Sequence, residues 1–243
     1  MKRYVVIGGA QIGNYDVIRK YLGPQDYYVF CDCGLKHRES LGVEPDLVTG
    51  DFDSWNMPCA QDTFVISEEA ALAEHLKHDK GSLTDGPEAR DLDPDRSSAG
   101  MIVLPHKKDD TDTVFAVKEG IRRGFEEFLF LGVTGQRLDH TLANVYALLM
   151  LEEQGKRAMI VDDYSEMEIV GKEPAIIDCS FSYFSLISLA GTARHVCIEN
   201  AVFPLSDGQI FSDYQYAVSN EVLPGRNARV SVGEGKLLLI RVR

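Results

Sequence analysis

Residues 101–131, MIVLPHKKDDTDTVFAVKEGIRRGFEEFLFL, decide the fold. Met101–Leu104 is a short apolar run suited to a buried strand. From Asp112 to Arg123 the apolar residues Val114, Phe115, Val117 and Ile121 fall on one side of a helix, and Gly124 stops it. Glu127–Leu131 is apolar again. A strand, a crossover helix and a second strand in so short a span form a βαβ unit, which requires a parallel sheet covered by helices.

Upstream, Tyr4–Ile7 reads as a buried strand, Ile12–Leu22 as a short helix, Tyr27–Cys31 as a second strand and Asp46–Thr49 as a third. Downstream, Leu138, Leu142, Val145 and Leu149 recur at helical spacing, and Gly155 ends that helix. The pattern changes around Ala158–Tyr164. From Glu166 onward only short runs remain, among them Tyr183–Leu189, His195–Ile198, Gln209–Ser212, Ala228–Val232 and Leu237–Val242, divided by Gly, Pro, Asn and Asp. They predict an antiparallel sandwich of five to seven strands. The expected architecture is therefore α/β: a doubly wound, mostly parallel sheet domain over residues 1–165, then an all-β sandwich domain over 166–243. Lys80–Gly100, rich in acids, Gly, Pro and Ser, reads as a long polar insertion.

The chain has 243 residues, 44% of them hydrophobic and 26% charged, the proportions of an ordinary globular protein. Its 25 Lys plus Arg against 38 Asp plus Glu leave a net charge of −13. That field opposes attraction to nucleic-acid phosphates and anionic lipid, so neither is an expected partner. No segment approaches the roughly 20 apolar residues of a membrane span, and Tyr4–Ile7 is too short for a secretory signal. The five cysteines are scattered without a C-x-x-C pair, which suits free thiols in a reducing cytoplasm.

In doubly wound sheets, ligands bind beyond the carboxyl ends of the strands. Three acid-rich clusters fall at such ends: Gly50-Asp51-Phe52-Asp53-Ser54, Lys108-Asp109-Asp110-Thr111-Asp112-Thr113 and Gly135-Gln136-Arg137-Leu138-Asp139-His140. Singly, each has a plain structural account as a cap, a turn or a dipole partner. Together they place mutually repelling carboxylates near one another, and a hard divalent cation such as Mg²⁺ relieves that repulsion. His106, Lys107, Lys108, Arg137 and His140 supply cations for phosphate oxygens. Acids for a metal beside bases for phosphates make up a phosphoryl-transfer site. A rival fingerprint, Gly8, Ala10 and Gly13 after the first strand with Asp32 ending the second, suggests a nicotinamide-dependent dehydrogenase. Ala10 weakens it, because a methyl stands where backbone should approach a pyrophosphate.

These blocks, in order and spacing, resemble the signature of the thiamine pyrophosphokinase family. Further matches are Asp32-Cys33-Gly34, Pro45-Asp46, Thr141-Leu142-Ala143-Asn144 and Val218-Ser219-Asn220-Glu221. The resemblance implies an α/β domain followed by a β-sandwich and a homodimer with sites between subunits. It implies Mg²⁺-dependent transfer of a pyrophosphoryl group from ATP to the hydroxyl of thiamine, giving thiamine diphosphate and AMP. By residue match, Asp51, Asp53 and Asp112 would hold Mg²⁺ and the phosphates. Asp32, Lys108, Asp109, Thr111, Arg137, Asp139 and His140 would frame the ATP, and Ser219 and Asn220 would receive thiamine. Gln136 stands where the family commonly has a second glycine, and Cys33 replaces the first glycine of its block. A binding regulator that kept the fold and lost turnover would be expected to lack a metal carboxylate, and none is missing.

Overall fold

A computed structural model describes residues 2–52, 63–65, 100–107 and 109–243. They form two compact units, Met1–Ala147 and Leu148–Arg243. The first unit contains β1 (Tyr4–Ile7), α1 (Tyr15–Arg19), β2 (Tyr27–Cys31), a tight helical turn over Asp32–His37 that runs into α2 (Arg38–Leu41), and β3 (Leu47–Gly50). It continues with β4 (Thr63–Val65), β5 (Gly100–Val103), α3 (Asp112–Arg122), β6 (Glu127–Leu131) and the start of α4 (Leu138–Glu153). Its strands lie in the order β6-β1-β2-β3-β5-β4, and every pairing is parallel. All four residues of β1 are fully buried, as are Val29, Phe30, Leu47, Phe130 and Leu131. Strands covered on both faces bury unbroken apolar runs. The chain runs outward from β1 to β2 and β3, whereas β6 returns to the other flank of β1. That reversal makes the β1–β6 region the switch point of the sheet, where such folds open a ligand crevice.

Local chemistry trims the expected elements. The side chain of Asn14 accepts from Val17 N at 3.3 Å, so α1 begins at Tyr15. Beyond Arg19 the amides of Lys20, Tyr21 and Leu22 bond three residues back rather than four, and the α-helix tightens and ends. A larger correction concerns α4. The expected apolar stripe is split: Leu138 and Leu142 are 65% and 50% exposed, Leu149 is half-buried and Val145 is buried, while the deepest positions are Leu148 and Leu151, outside that stripe. Residues 135–140 are all exposed, so the first turn emerges from the surface before the helix reaches anything to cover it.

The second unit contains β7 (Arg157–Val161), β8 (Ser165–Val170), β9 (Ala175–Ile177), β10 (Tyr183–Ile187), β11 (Thr192–Glu199), β12 (Leu205–Phe211), β13 (Ala228–Ser231) and β14 (Leu237–Val242). Two antiparallel layers, β10-β14-β8-β7 and β12-β11-β13-β9, face each other. Phe184, Leu186, Leu237 and Leu239 from one layer share a core with Ile177, Val196, Ile198, Ile210 and Val230 from the other. This is the expected sandwich. The division between units falls within α4, so β7 groups with the sandwich strands. No helix among the described residues is long and apolar enough to cross a membrane.

Tyr4 supplies a first prediction. Its ring packs against Tyr27, Phe125 and Phe128 at centroid distances of 5.6, 4.9 and 5.6 Å. Its hydroxyl is buried without a hydrogen-bond partner, and burial pushes its pKa far up. Tyr4→Phe keeps the ring and deletes an unsatisfied group. The variant is expected to match or exceed the parent in denaturant unfolding, by up to about 1 kcal/mol; a loss of that size would show that the hydroxyl is solvated or bonded.

Candidate active site

The carboxyl ends of β1, β2 and β3 approach one another closely. A Cβ on Gly34 would stand 2.2 Å from the carbonyl oxygen of Ile7, and one on Gly50 would stand 2.9 Å from the Cβ of Asp32. These positions admit no side chain, and the second brings Asp32, at the end of β2, against the end of β3. Asp32 and Phe52 both adopt left-handed backbone, with φ of 40° and 51°. Asp tolerates that region; for Phe it is strained, and such strain gathers at functional sites.

Asp51 follows β3 and is half-buried. Leu104 N bonds to Gly50 O at 2.8 Å, extending the β3–β5 pairing to the loop that carries His106. His106 Nδ1 consequently lies 3.5 Å from Asp51 Oδ2. The Cys33 thiol donates to Asp32 Oδ2 at 3.0 Å, and that carboxylate holds the thiol protonated above its usual range. Asp53 and Lys108 lie outside the described residues, as does nearly all of the 80–100 insertion.

Helix α3 carries the second cluster. Thr111 caps it, its hydroxyl accepting from Val114 N at 3.2 Å. Asp109 is exposed, and Asp110 pairs with Lys118 at 2.6 Å. Asp112 opens the helix and is half-buried. Its carbonyl accepts from the Cys31 thiol at 3.7 Å, and Thr49 donates to the same sulfur at 3.6 Å. A small buried chain from β3 through β2 thus anchors the first turn of α3. No group of three or more His, Cys, Asp or Glu placed to hold a metal occurs among the described residues. Asp51 and Asp112, half-buried after the paired strands β3 and β5, do suit the one or two carboxylates that usually hold Mg²⁺ beside substrate phosphates.

The third cluster is an exposed turn held by two polar side chains. Gly135 N donates to Thr141 Oγ1 at 3.1 Å, and the buried Asn144 amide donates to Val133 O at 2.9 Å. Arg137 forks onto Asp139 at 3.0 and 2.7 Å, and its Nη2 lies 2.9 Å from His140 Nε2. The guanidinium holds the Asp139 carboxyl well below the usual range. Asp139 therefore orients Arg137, leaving Nη1 and the exposed His140 ring to meet an anion.

The amides that would cradle a dinucleotide pyrophosphate after β1 are already engaged: Gly8 N bonds to Leu131 O at 2.9 Å and Ala10 N to Gly132 O at 2.8 Å. Two residues that spacing did not mark help to hold this loop. Lys36 Nζ donates to Gly9 O, and the His37 ring reaches Ala10 O.

In the second unit, Ser219 is exposed with φ of 58° and donates its N–H to Ser185 Oγ at 3.0 Å. Asn220 is buried, and its side-chain amide is spent on Phe203, accepting from that N–H at 3.0 Å and donating to the carbonyl at 2.8 Å. It fixes the loop that presents the exposed ring of Phe203.

Residues 95–160 match the family model of the thiamin pyrophosphokinase catalytic domain. The thiamine pyrophosphokinase of Bacillus subtilis (strain 168) is 22% identical over 149 residues, 60% of this chain and 69% of that protein. The crystal structure of thiamine pyrophosphokinase from Bacillus subtilis is similar with a TM-score of 0.74 and 18% identity, covering 99% of each chain. That from Geobacillus thermodenitrificans has a TM-score of 0.71 and 23% identity, covering 100% of this chain and 98% of the other. For the enzyme from Candida albicans the values are 0.66 and 14%, with coverage of 100% and 89%. The fold of both units is thus that of thiamin pyrophosphokinases.

Proposed function

We propose that this chain, related to the thiamine pyrophosphokinases by family model and by fold, transfers the pyrophosphoryl group of ATP to the hydroxyl of thiamine, giving thiamine diphosphate and AMP. The observation that carries this reading is that Asp32, Asp51 and Asp112 follow β2, β3 and β5, and the exposed Arg137–His140 pair follows β6, all beyond the carboxyl ends of one parallel sheet. Asp51 and Asp112, with Asp53, would hold Mg²⁺. Bound there, Mg²⁺ would offset charge on the β-phosphoryl oxygens of ATP. Arg137, kept in one orientation by Asp139, would bind phosphate oxygens through Nη1; His140 as a hydrogen-bond donor and Lys108 as a cation are further candidates for the same phosphates. Attack falls on the β-phosphorus, and positioning with electrostatic stabilisation supplies most of the rate. The cationic thiazolium of thiamine is attracted by a surface of net charge −13.

The same reading takes Ser219 and Asn220 as thiamine-side residues, Asn220 through the loop it fixes. It also takes the chain as a cytoplasmic homodimer. Sedimentation and fractionation test those two properties. The decisive assay mixes protein, ATP, Mg²⁺ and thiamine and separates the products. Thiamine diphosphate and AMP are expected in equal amounts, and chelation of Mg²⁺ should abolish both. ADP as the sole nucleotide product would refute pyrophosphoryl transfer.

A further inference from the structure

His37 is a polar ring only 2% exposed. Its Nε2 lies 2.8 Å from Ala10 O, and its Nδ1 lies 2.7 Å from the Tyr15 hydroxyl. A carbonyl only accepts, so Nε2 carries the proton and Nδ1 accepts from Tyr15. In the neutral imidazole both ring nitrogens are satisfied by these two contacts. The carbonyl it holds belongs to a residue with a second contact. Ala10 N bonds to Gly132 O at 2.8 Å, and a Cβ on Gly135 would stand 3.3 Å from the Ala10 Cβ. Gly132 and Gly135 bound the turn that delivers Arg137.

We infer that His37 is a positioning residue for nucleotide binding: it clamps the loop after β1 against the loop after β6 and so fixes the turn that carries Arg137 at the switch point of the sheet. The inference rests on the proposed reaction for its substrate, though the clamp itself is independent of turnover. Among the described residues, the Tyr15 hydroxyl from α1, the Ala10 carbonyl from the β1 loop and the Lys36 ammonium from its own turn face the ring. Burial first, and Lys36 to a lesser degree, hold its pKa below the ordinary 6.5, with the bond to Ala10 opposing them. As pH falls below that value the unfolded chain takes up a proton before the folded one does. Stability therefore declines until the lowered folded pKa is reached.

The test compares His37→Leu, His37→Gln and Tyr15→Phe by amide hydrogen exchange and by steady-state kinetics. Leucine removes both bonds. Glutamine can place its amide donor near the former Nε2 and restore the bond to Ala10. In His37→Leu the Ala10 amide should exchange about tenfold faster, and the KM for ATP should rise about tenfold, the effect of losing one buried hydrogen bond. The KM for thiamine should stay within twofold. His37→Gln should recover most of both losses, and its stability should no longer fall below pH 6.5 to the extent seen in the parent. If His37→Leu does not fold, Tyr15→Phe should still give a partial rise in exchange at Ala10. Unchanged exchange at Ala10 in the folded variants, or equal rises in the KM of both substrates, would overturn the inference. A parent protein that makes no thiamine diphosphate would refute the proposed reaction, and exchange at Ala10 would then decide the clamp.

Discussion

Arg241→Ala is expected to cost about 3–5 kcal/mol, the penalty for leaving buried charge uncompensated. Arg241 occupies the third inward position of β14, after Leu237 and Leu239, and its side chain is only 9% exposed. It stands opposite Glu166 in the β14–β8 register. Its Nη1 lies 3.5 Å from Glu166 Oε2, its Nη2 meets Glu168 Oε1, and it reaches Ile176 O on β9 of the facing layer. Arg243 adds a contact to Glu166 at 3.3 Å. The end of the sandwich interior is thus closed by a charged cluster instead of apolar side chains. Truncating Arg241 takes from Glu168 and Glu166 the guanidinium that both of them meet. At roughly 2–4 °C per kcal/mol for a chain of this size, the midpoint should fall by about 6–20 °C. Replacing Arg241, Glu166 and Glu168 together with Met should restore most of the loss, because no charge then remains buried. A loss under 1 kcal/mol for Arg241→Ala in thermal unfolding would mean that water already compensates the carboxylates.

The same strand pattern explains what was legible in the sequence. β1, β2 and β6 stand where their apolar runs placed them, because a parallel strand buried on both faces leaves an unbroken mark. In β11 the mark is broken. His195 has φ of 52°, the β11–β12 register shifts on either side of Val196, and Arg194 and His195 are both exposed. Alternation fails at that bulge, so the sequence pattern shows a strand only from His195, whereas the ladder begins at Thr192. Asp207, with φ of 51°, disturbs β12 in the same way. In α4 the helix stands where the period placed it, but the period does not say which turns are covered: Leu138 and Leu142 are exposed and Val145 is buried.

At the candidate site, residues whose chemistry demands a side chain type were legible, and those that hold the backbone were not. Carboxylates at strand ends and a basic turn announce themselves by composition. His37 and Lys36 act on the carbonyls of Ala10 and Gly9, which any residue would provide, so no spacing marks the partnership. Thr141 and Asn144 were visible as part of a matching block, but only the structure shows them tethering the Arg137 turn. Gly34 and Gly50 are similar. Their need is set by Ile7 and Asp32, which are distant in the chain.

Asp112→Asn separates a catalytic carboxylate from a helix-capping one. As the first residue of α3, an acid here would earn its place from the helix dipole alone, worth about 0.3–1 kcal/mol at such a position. The cap itself is Thr111, and the carbonyl contact from Cys31 does not involve the Asp112 side chain. Asparagine keeps the volume and removes the charge, so the fold should lose less than 1 kcal/mol. If Asp112 holds Mg²⁺ with Asp51, the lost charge falls on the transferring group. kcat/KM for ATP should then drop by about 10²–10³, comparable to removing a preorganised electrostatic contact, and the Mg²⁺ concentration for half-maximal rate should rise. Asp110→Asn serves as the comparison, since Asp110 faces Lys118 and carries the same change of charge two residues away. Its rate should stay within a few fold of the parent. Equal and small losses in the two variants, with an unchanged Mg²⁺ requirement, would assign Asp112 to the dipole and leave the metal to Asp51 and Asp53.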